Sequence, residues 1–152
     1  MKLSIQKATP ADCPAMTALI TASKRHWGYP DKWMTLWQAE LTITPKKLDQ
    51  RDFYLGKNGD EIIFIYSLSQ LDADEYELED SWAAPEHIGR GYGQTLFDDL
   101  KRRLRALGCI RLKIISDPNA EGFYRKMGAI QIGEEPTKIP GRVFPVFVFE
   151  II

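Results

Sequence analysis

The stretch 85–104, PEHIGRGYGQTLFDDLKRRL, limits what this chain can fold into more than any other part of it. Gly89, Gly91 and Gly93 stand at alternate positions. Leu96, Leu100, Leu104 and Leu107 follow at helical spacing, with Phe97 beside them. A strand-like run, YELEDSWAAP, leads into the glycines. A strand that turns through glycines into a helix N-terminus builds an anion site. Glycine lets the backbone approach a ligand closely, the first helical N–H groups have no partner inside the helix, and the helix dipole favours negative charge. Arg90, between two of the glycines, adds a fixed positive charge. Two common phosphate loops are excluded by inspection. A P-loop needs Gly-Lys-Ser/Thr, and here Gly93 is followed by Gln94-Thr95. The nicotinamide pattern Gly-x-Gly-x-x-Gly fails at Gln94 when started from Gly89 and at Leu96 when started from Gly91.

What remains is Gly-Arg-Gly-Tyr-Gly shortly after Pro85. It resembles the coenzyme A pyrophosphate loop of the GNAT superfamily of N-acetyltransferases, whose pattern is Gln/Arg-x-x-Gly-x-Gly/Ala. Gly91 and Gly93 match the two small positions, while Ile88 stands where the family has Gln or Arg. That departure removes side-chain help for the phosphates and leaves the backbone N–H groups. A second segment, DPNAEGFYRKMGAI over 117–130, is similar to the family's later motif, in which Asn-x-x-x-x-Tyr follows a strand; Asn119 and Tyr124 match it. The resemblance runs from about residue 77 to residue 128. It implies acetyl-CoA as co-substrate, contacted by Trp82, Ala83, Ala84, Gly89, Arg90, Gly91, Tyr92, Gly93, Gln94, Asn119 and Tyr124.

The rest of the chain is compatible with that order of elements. Residues 2–8 alternate as a first strand, and Thr9-Pro10 opens a helix to about residue 26 with Met16, Leu19, Ile20 and Ser23 on its inner side. A second helix spans 31–41, and a short helical turn runs from Thr44-Pro45 to Gln50. Strands are expected at 52–56, 61–71, 76–83, 111–116, 129–134 and 143–151, with Asn58-Gly59 as a hairpin turn. Asp117-Pro118 starts a further helix that ends at Gly128. The expectation is an α/β fold in one domain over 1–152, a mixed central sheet of about seven strands flanked by about four helices, as in the resembled family.

Charge and cysteines exclude several classes. A net charge of −1 gives no overall attraction to nucleic acid or an anionic membrane. The basic run Lys101, Arg102, Arg103 and Arg105 reads as a solvated helix face, or as a contact for the 3′-phosphate end of coenzyme A. Cys13 and Cys109 are too few for a disulfide framework and read as buried thiols in a reducing compartment, so the chain is expected in the cytoplasm. No apolar run approaches the ~20 residues of a membrane span. His26 and His87 have no metal-ligand spacing, so no metal is expected. Trp27, Tyr29, Trp33 and Trp37 read as helix packing or as an aromatic wall for the acceptor. The apolar final strand, 143–152, is a surface for a possible homodimer.

Acetyl transfer to an amine needs a neutral acceptor, a held oxyanion and a protonated leaving thiolate. A free alkylamine of pKa ~10.4 is neutral in only about one molecule in 10³ at pH 7, so a base helps. Strand alternation puts Glu77, Glu79 and Ser81 on one face and Leu78, Asp80 and Trp82 on the other. The resemblance makes Glu79 the general base, with Glu77 second, Asp80 third and a water relay as a further route. It makes Tyr124 the acid for the thiolate, backbone N–H groups around Trp82 and Ala83 the oxyanion donors, and Asn119 a pantetheine contact. The acceptor is a small-molecule or peptide amine. The rival is a non-catalytic coenzyme A-binding or sensor domain, favoured by Ile88.

Overall fold

The apolar run after Asn58-Gly59 becomes a strand buried on both faces. Ile63, Phe64, Ile65, Tyr66 and Ser67 have 0% of their surface exposed, the pattern of a strand covered from both sides rather than a half-solvated one. The structure is a computed structural model that describes residues 3–151. Its elements in chain order are β1 (Ser4–Lys7), α1 (Cys13–Arg25), α2 (Asp31–Leu41), α3 (Pro45–Gln50), β2 (Asp52–Asn58), β3 (Glu61–Gln70), β4 (Glu75–Ala83), α4 (Tyr92–Ala106), β5 (Arg111–Ile115), α5 (Glu121–Met127), β6 (Ile130–Pro136) and β7 (Val143–Glu150). The strands form one seven-stranded mixed sheet in the order β1-β2-β3-β4-β5-β7-β6. Five α-helices accompany it, where the sequence predicts about four; the fifth is the six-residue α3, whose Thr44 hydroxyl caps the Lys47 N–H. Among the described residues no helix is long and apolar enough to cross a membrane. Lys2, in the predicted first strand, and Ile152, at the end of the predicted final strand, lie outside the described residues.

The chain divides into two compact units, one running to Leu68 and including Asp80–Asp99, the other made of Ser69–Glu79 and the residues from Leu100 onward. In the first unit β2 pairs antiparallel with β1 and with β3. The predicted α1 start at Pro10 is instead a 3-10 turn over Pro10–Asp12, in which the Cys13 N–H donates to the Pro10 carbonyl. The reason is Pro14, which has no N–H to give that carbonyl in an α-helical pattern. The inner face of α1 is as predicted: Met16, Leu19, Ile20 and Ser23 are buried. The Lys47 ammonium closes the C-terminus of α2, donating to the carbonyls of Ala39 (3.0 Å), Glu40 (3.0 Å) and Thr42 (2.6 Å), which a helix end leaves without partners of its own. The Tyr66 hydroxyl on β3 donates to the buried Asp99 carboxylate and holds the first half of α4.

In the second unit Glu75–Leu78 of β4 pair parallel with Arg111–Ile114 of β5, and β7 runs antiparallel to both β5 and β6. The turn before β4 is held by Asp72, whose carboxylate accepts from the N–H groups of Asp74 and Glu75. Leu100, Leu104, Leu112 and Phe147 are fully buried in this unit. As predicted, Gly128 ends α5 in a left-handed conformation, φ 103°.

Gly56 sits at a β-bulge between Gly56 and Lys57. A Cβ there would lie 2.5 Å from two ring carbons of the fully buried Phe64. Gly56→Ala should therefore cost about 1–3 kcal/mol, the usual penalty of overpacking, read as a lower denaturation midpoint at unchanged urea m-value.

Candidate functional site

Within the first unit, β4 ends at Ala83 and the chain crosses a 3-10 turn over Pro85–His87 before the glycines. The strand end is anchored. The Ala84 N–H donates to the Ile63 carbonyl at 2.9 Å. Asp80, 8% exposed, accepts from the Ser67 hydroxyl and the Trp82 indole and lies 3.2 Å from Arg51 Nε. Gly89 and Gly91 then adopt left-handed backbone, φ 79° and 85°. Other residues pay a steric cost in that region, so glycine is required for the turn. A Cβ built on either would meet no atom within 4 Å, so the ground over this loop is open. The Arg90 N–H donates to the His87 carbonyl and Arg90 itself is exposed. Tyr92 opens α4, and the Thr95 N–H reaches back to the Gly91 carbonyl at 3.4 Å. The N–H groups of the residues just before Thr95 are those a helix start leaves without helical partners. Gln94 turns its side chain along the helix to Asp98. Pro85 and Glu86 also border a cleft of about 340 Å³ whose other wall includes Ala15, Ala18 and Ala22 of α1. A polyphosphate or a thioester cofactor fits this chemistry: bare backbone donors, a helix dipole and no obstructing side chain.

The aromatic region is a finding that sequence reasoning missed in part. Tyr29, Trp33 and Trp37 pack on one another with ring centroids 5.0–5.9 Å apart. Their faces enclose a cation of the same chain. Lys24 Nζ lies 4.3 Å from the Trp37 ring, 4.9 Å from Tyr29 and 5.8 Å from Trp82, and Lys24 is only 6% exposed. Ring faces attract an ammonium most strongly when it is desolvated. The sequence signal was available: Lys24 lies four residues after Ile20, on the apolar side of α1. Trp27 stands outside this box, 45% exposed and edge-on to the exposed His26.

Four further predicted residues, Glu77, Glu79, Asn119 and Tyr124, belong to the second unit. Tyr124 is buried, with its ring against Phe123 and Phe147. Asn119 is exposed in the turn that leads to α5, its backbone N–H and side-chain amide both donating to Asp117. Glu79 is exposed, whereas Glu77 is half-buried with Lys113 Nζ 3.9 Å away. Burial, and after it the neighbouring Glu79 carboxylate, push the Glu77 carboxyl above the usual carboxylate range against the pull of Lys113. Cys13 and Cys109 are buried, and burial raises both thiols, which makes them poor nucleophiles.

The order of strand, glycine loop, helix, strand and Asn/Tyr segment matches a known family over most of its length. The model of the acetyltransferase (GNAT) family matches residues 14–129. The chain belongs to the GNAT family. Solved GNAT-type structures share its fold. It is similar to the PaiA N-acetyltransferase of Thermoplasma acidophilum, solved with coenzyme A, at a TM-score of 0.81 and 16% identity, covering 99% of each chain. A GNAT family acetyltransferase from Elizabethkingia anophelis, solved with acetyl-CoA, matches at 0.66 and 18% over 97% of each chain. An IAA acetyltransferase from Bacillus cereus matches at 0.71 and 14% over 98% of this chain and 99% of that one. At these identities the likeness is one of fold. No curated protein matches the sequence.

Of the GNAT chain's three candidate bases on β4, Asp80 is committed to structure. Replacing one member of a buried ion pair strands the other, at a cost of about 3–5 kcal/mol. Asp80→Ala should lower stability by that order, as measured by urea unfolding, because it removes the carboxylate beside the Arg51 guanidinium.

Proposed function

We propose that this GNAT protein is an acetyl-CoA-dependent N-acetyltransferase that acylates a primary amine by direct transfer, without a covalent enzyme intermediate. One observation carries the reading: the open, left-handed Gly89–Gly91 turn at the start of the 15-residue α4, in a chain of this family. In it, Gly89, Arg90, Gly91, Tyr92, Gly93 and Gln94 hold the pyrophosphate of the coenzyme through backbone N–H groups. The bound coenzyme supplies an acetyl group activated as a thioester.

The chain's own residues handle the protons. The acceptor amine must lose one, and the carboxylates of Glu77 and Glu79 are the groups proposed to take it. Glu79 keeps the place that the family pattern gives the base, and Glu77 is the carboxyl whose surroundings have raised it toward neutral pH, which suits a general base. Tyr124 donates to the leaving thiolate; a phenol near pKa ~10 can do so to a thiol near ~8.5 for about 2 kcal/mol. The N–H groups of Trp82 and Ala83 face the developing oxyanion, and Asn119 holds the pantetheine. The raised thiols of Cys13 and Cys109 argue against a covalent route. The acceptor is a cationic small molecule or peptide, a reading supported by the acidic pair on β4.

The test is thiol release from acetyl-CoA with a panel of amines. Amine-dependent release is the expected result. Coenzyme binding with no release for any amine would favour the rival sensor reading. Gly91→Val should keep the fold, since its side chain meets open space, yet lose coenzyme affinity because valine does not tolerate φ 85°. Tyr124→Phe should lower kcat about 100-fold with little change in coenzyme affinity.

The pH profile separates the two carboxylates. A base works deprotonated, so activity falls as pH drops through its pKa, and a raised pKa places that fall at higher pH than for an ordinary carboxylate. If Glu77 is the base, Lys113→Met should move the acid limb of kcat/KM further up, because it removes the charge holding Glu77 down. An acid limb that stays in place in Lys113→Met and disappears in Glu79→Gln assigns the role to Glu79.

A further inference from the structure

The two histidines have no ligand spacing in the sequence, but the fold gives one of them acidic neighbours from far along the chain. His87 ends the 3-10 turn after β4, Glu86 precedes it, and Glu61 begins β3 at the far side of the Asn58-Gly59 hairpin. His87 Nε2 lies 2.6 Å from Glu61 Oε1, across 26 positions of sequence. Glu61, Glu86 and His87 each offer a ligand atom, and the three atoms lie within 4.8 Å of one another. All three residues belong to the first unit.

We propose that Glu61, Glu86 and His87 form a divalent-cation site of the Zn²⁺ type, which clips the β2–β3 hairpin to the segment entering the glycine loop. The donor set is one imidazole nitrogen and two carboxylate oxygens, with no thiolate. That set suits Zn²⁺ and its borderline neighbours rather than a soft ion such as Cu(I). Ligands on a tetrahedral Zn²⁺ at about 2.0–2.2 Å from it are about 3.3 Å from each other. The His87–Glu61 pair therefore opens by less than an ångström, and the exposed Glu86 side chain swings in.

The nitrogen is fixed while the oxygens are adaptable. The His87 side chain is 12% exposed and that of Glu61 53% exposed, so a cation enters from solvent onto an oriented imidazole. The other ring nitrogen, Nδ1, is buried with no hydrogen-bond partner among the described residues. Nothing there fixes the tautomer, so Nε2 can present either a proton to Glu61 or a lone pair to a metal. Two carboxylates this close also gain from a dication, which attracts both. Three protein ligands leave a fourth position for water.

The site bears on the loop through His87. The His87 carbonyl accepts from the Arg90 N–H at 3.3 Å, and its ring stands edge-on to Tyr92, 5.4 Å away, where α4 begins. Fixing His87 to the hairpin restrains the residues between these two contacts.

The experiment is a calorimetric titration of the chelator-treated full chain with ZnCl₂, with Co²⁺ as a spectroscopic probe of the coordination. The expected result is one Zn²⁺ per chain, weakened about 100-fold by His87→Asn and about 10-fold or more by Glu86→Gln. Binding should be unchanged in His26→Asn. Zn²⁺ should also slow amide exchange over residues 89–92. Absence of saturable binding overturns the proposal. So does binding that survives both His87→Asn and Glu86→Gln, and exchange over 89–92 that Zn²⁺ leaves unchanged overturns the clip. Should His87→Asn fail to fold, the exposed Glu86 still carries the test.

Discussion

The handedness of the backbone at Gly89 and Gly91 decides where α4 begins and what lies in front of it. Both residues adopt φ near +80°, 79° and 85°, and any L side chain there would meet its own carbonyl before it met a neighbour. The turn they make brings α4 out of the strand end, and the space beside both glycines is open. The loop hangs from a rigid support. Ala84 is hydrogen-bonded to β3, Asp80 is held by Arg51 and Ser67, and Asp99 ties α4 back to Tyr66. A loop that must hold phosphates by backbone alone depends on such support, because its donors cannot adjust as long side chains can.

Burial sorts the acids of β4 into different duties. Asp80 lies on the buried side and is satisfied by a guanidinium and a hydroxyl, which makes it structure. Glu77 is half-buried beside Glu79 and Lys113, and its carboxyl is raised by that setting. Glu79 faces solvent. The same logic applies to Lys24, a cation of the chain itself held among the ring faces of Tyr29, Trp37 and Trp82. Local environment rather than residue type separates groups that carry charge for the fold from groups with the freedom to react.

Features set within a few residues were legible in the sequence. The Asn58-Gly59 turn, the inner face of α1, the bounds of α2 and the Gly128 stop of α5 follow from periodicity and turn chemistry, and the glycine loop with Asn119 and Tyr124 named the family. α1 begins one turn later than Thr9-Pro10 implies, because Pro14 has no N–H to give the carbonyl of Pro10. What the sequence hid are pairs distant in the chain. Arg51 meets Asp80, and Glu61 meets His87. No spacing rule signals these, because the sheet register that brings them together is itself a product of the whole fold.

The central claim is that the glycine loop holds coenzyme A. Calorimetric titration of the purified chain with acetyl-CoA and coenzyme A, with NADH and ATP as controls, tests it most directly. Saturable binding of the first two, and of neither control, is the predicted result. A folded chain that binds neither acetyl-CoA nor coenzyme A would contradict the account and leave the loop as a turn without a ligand.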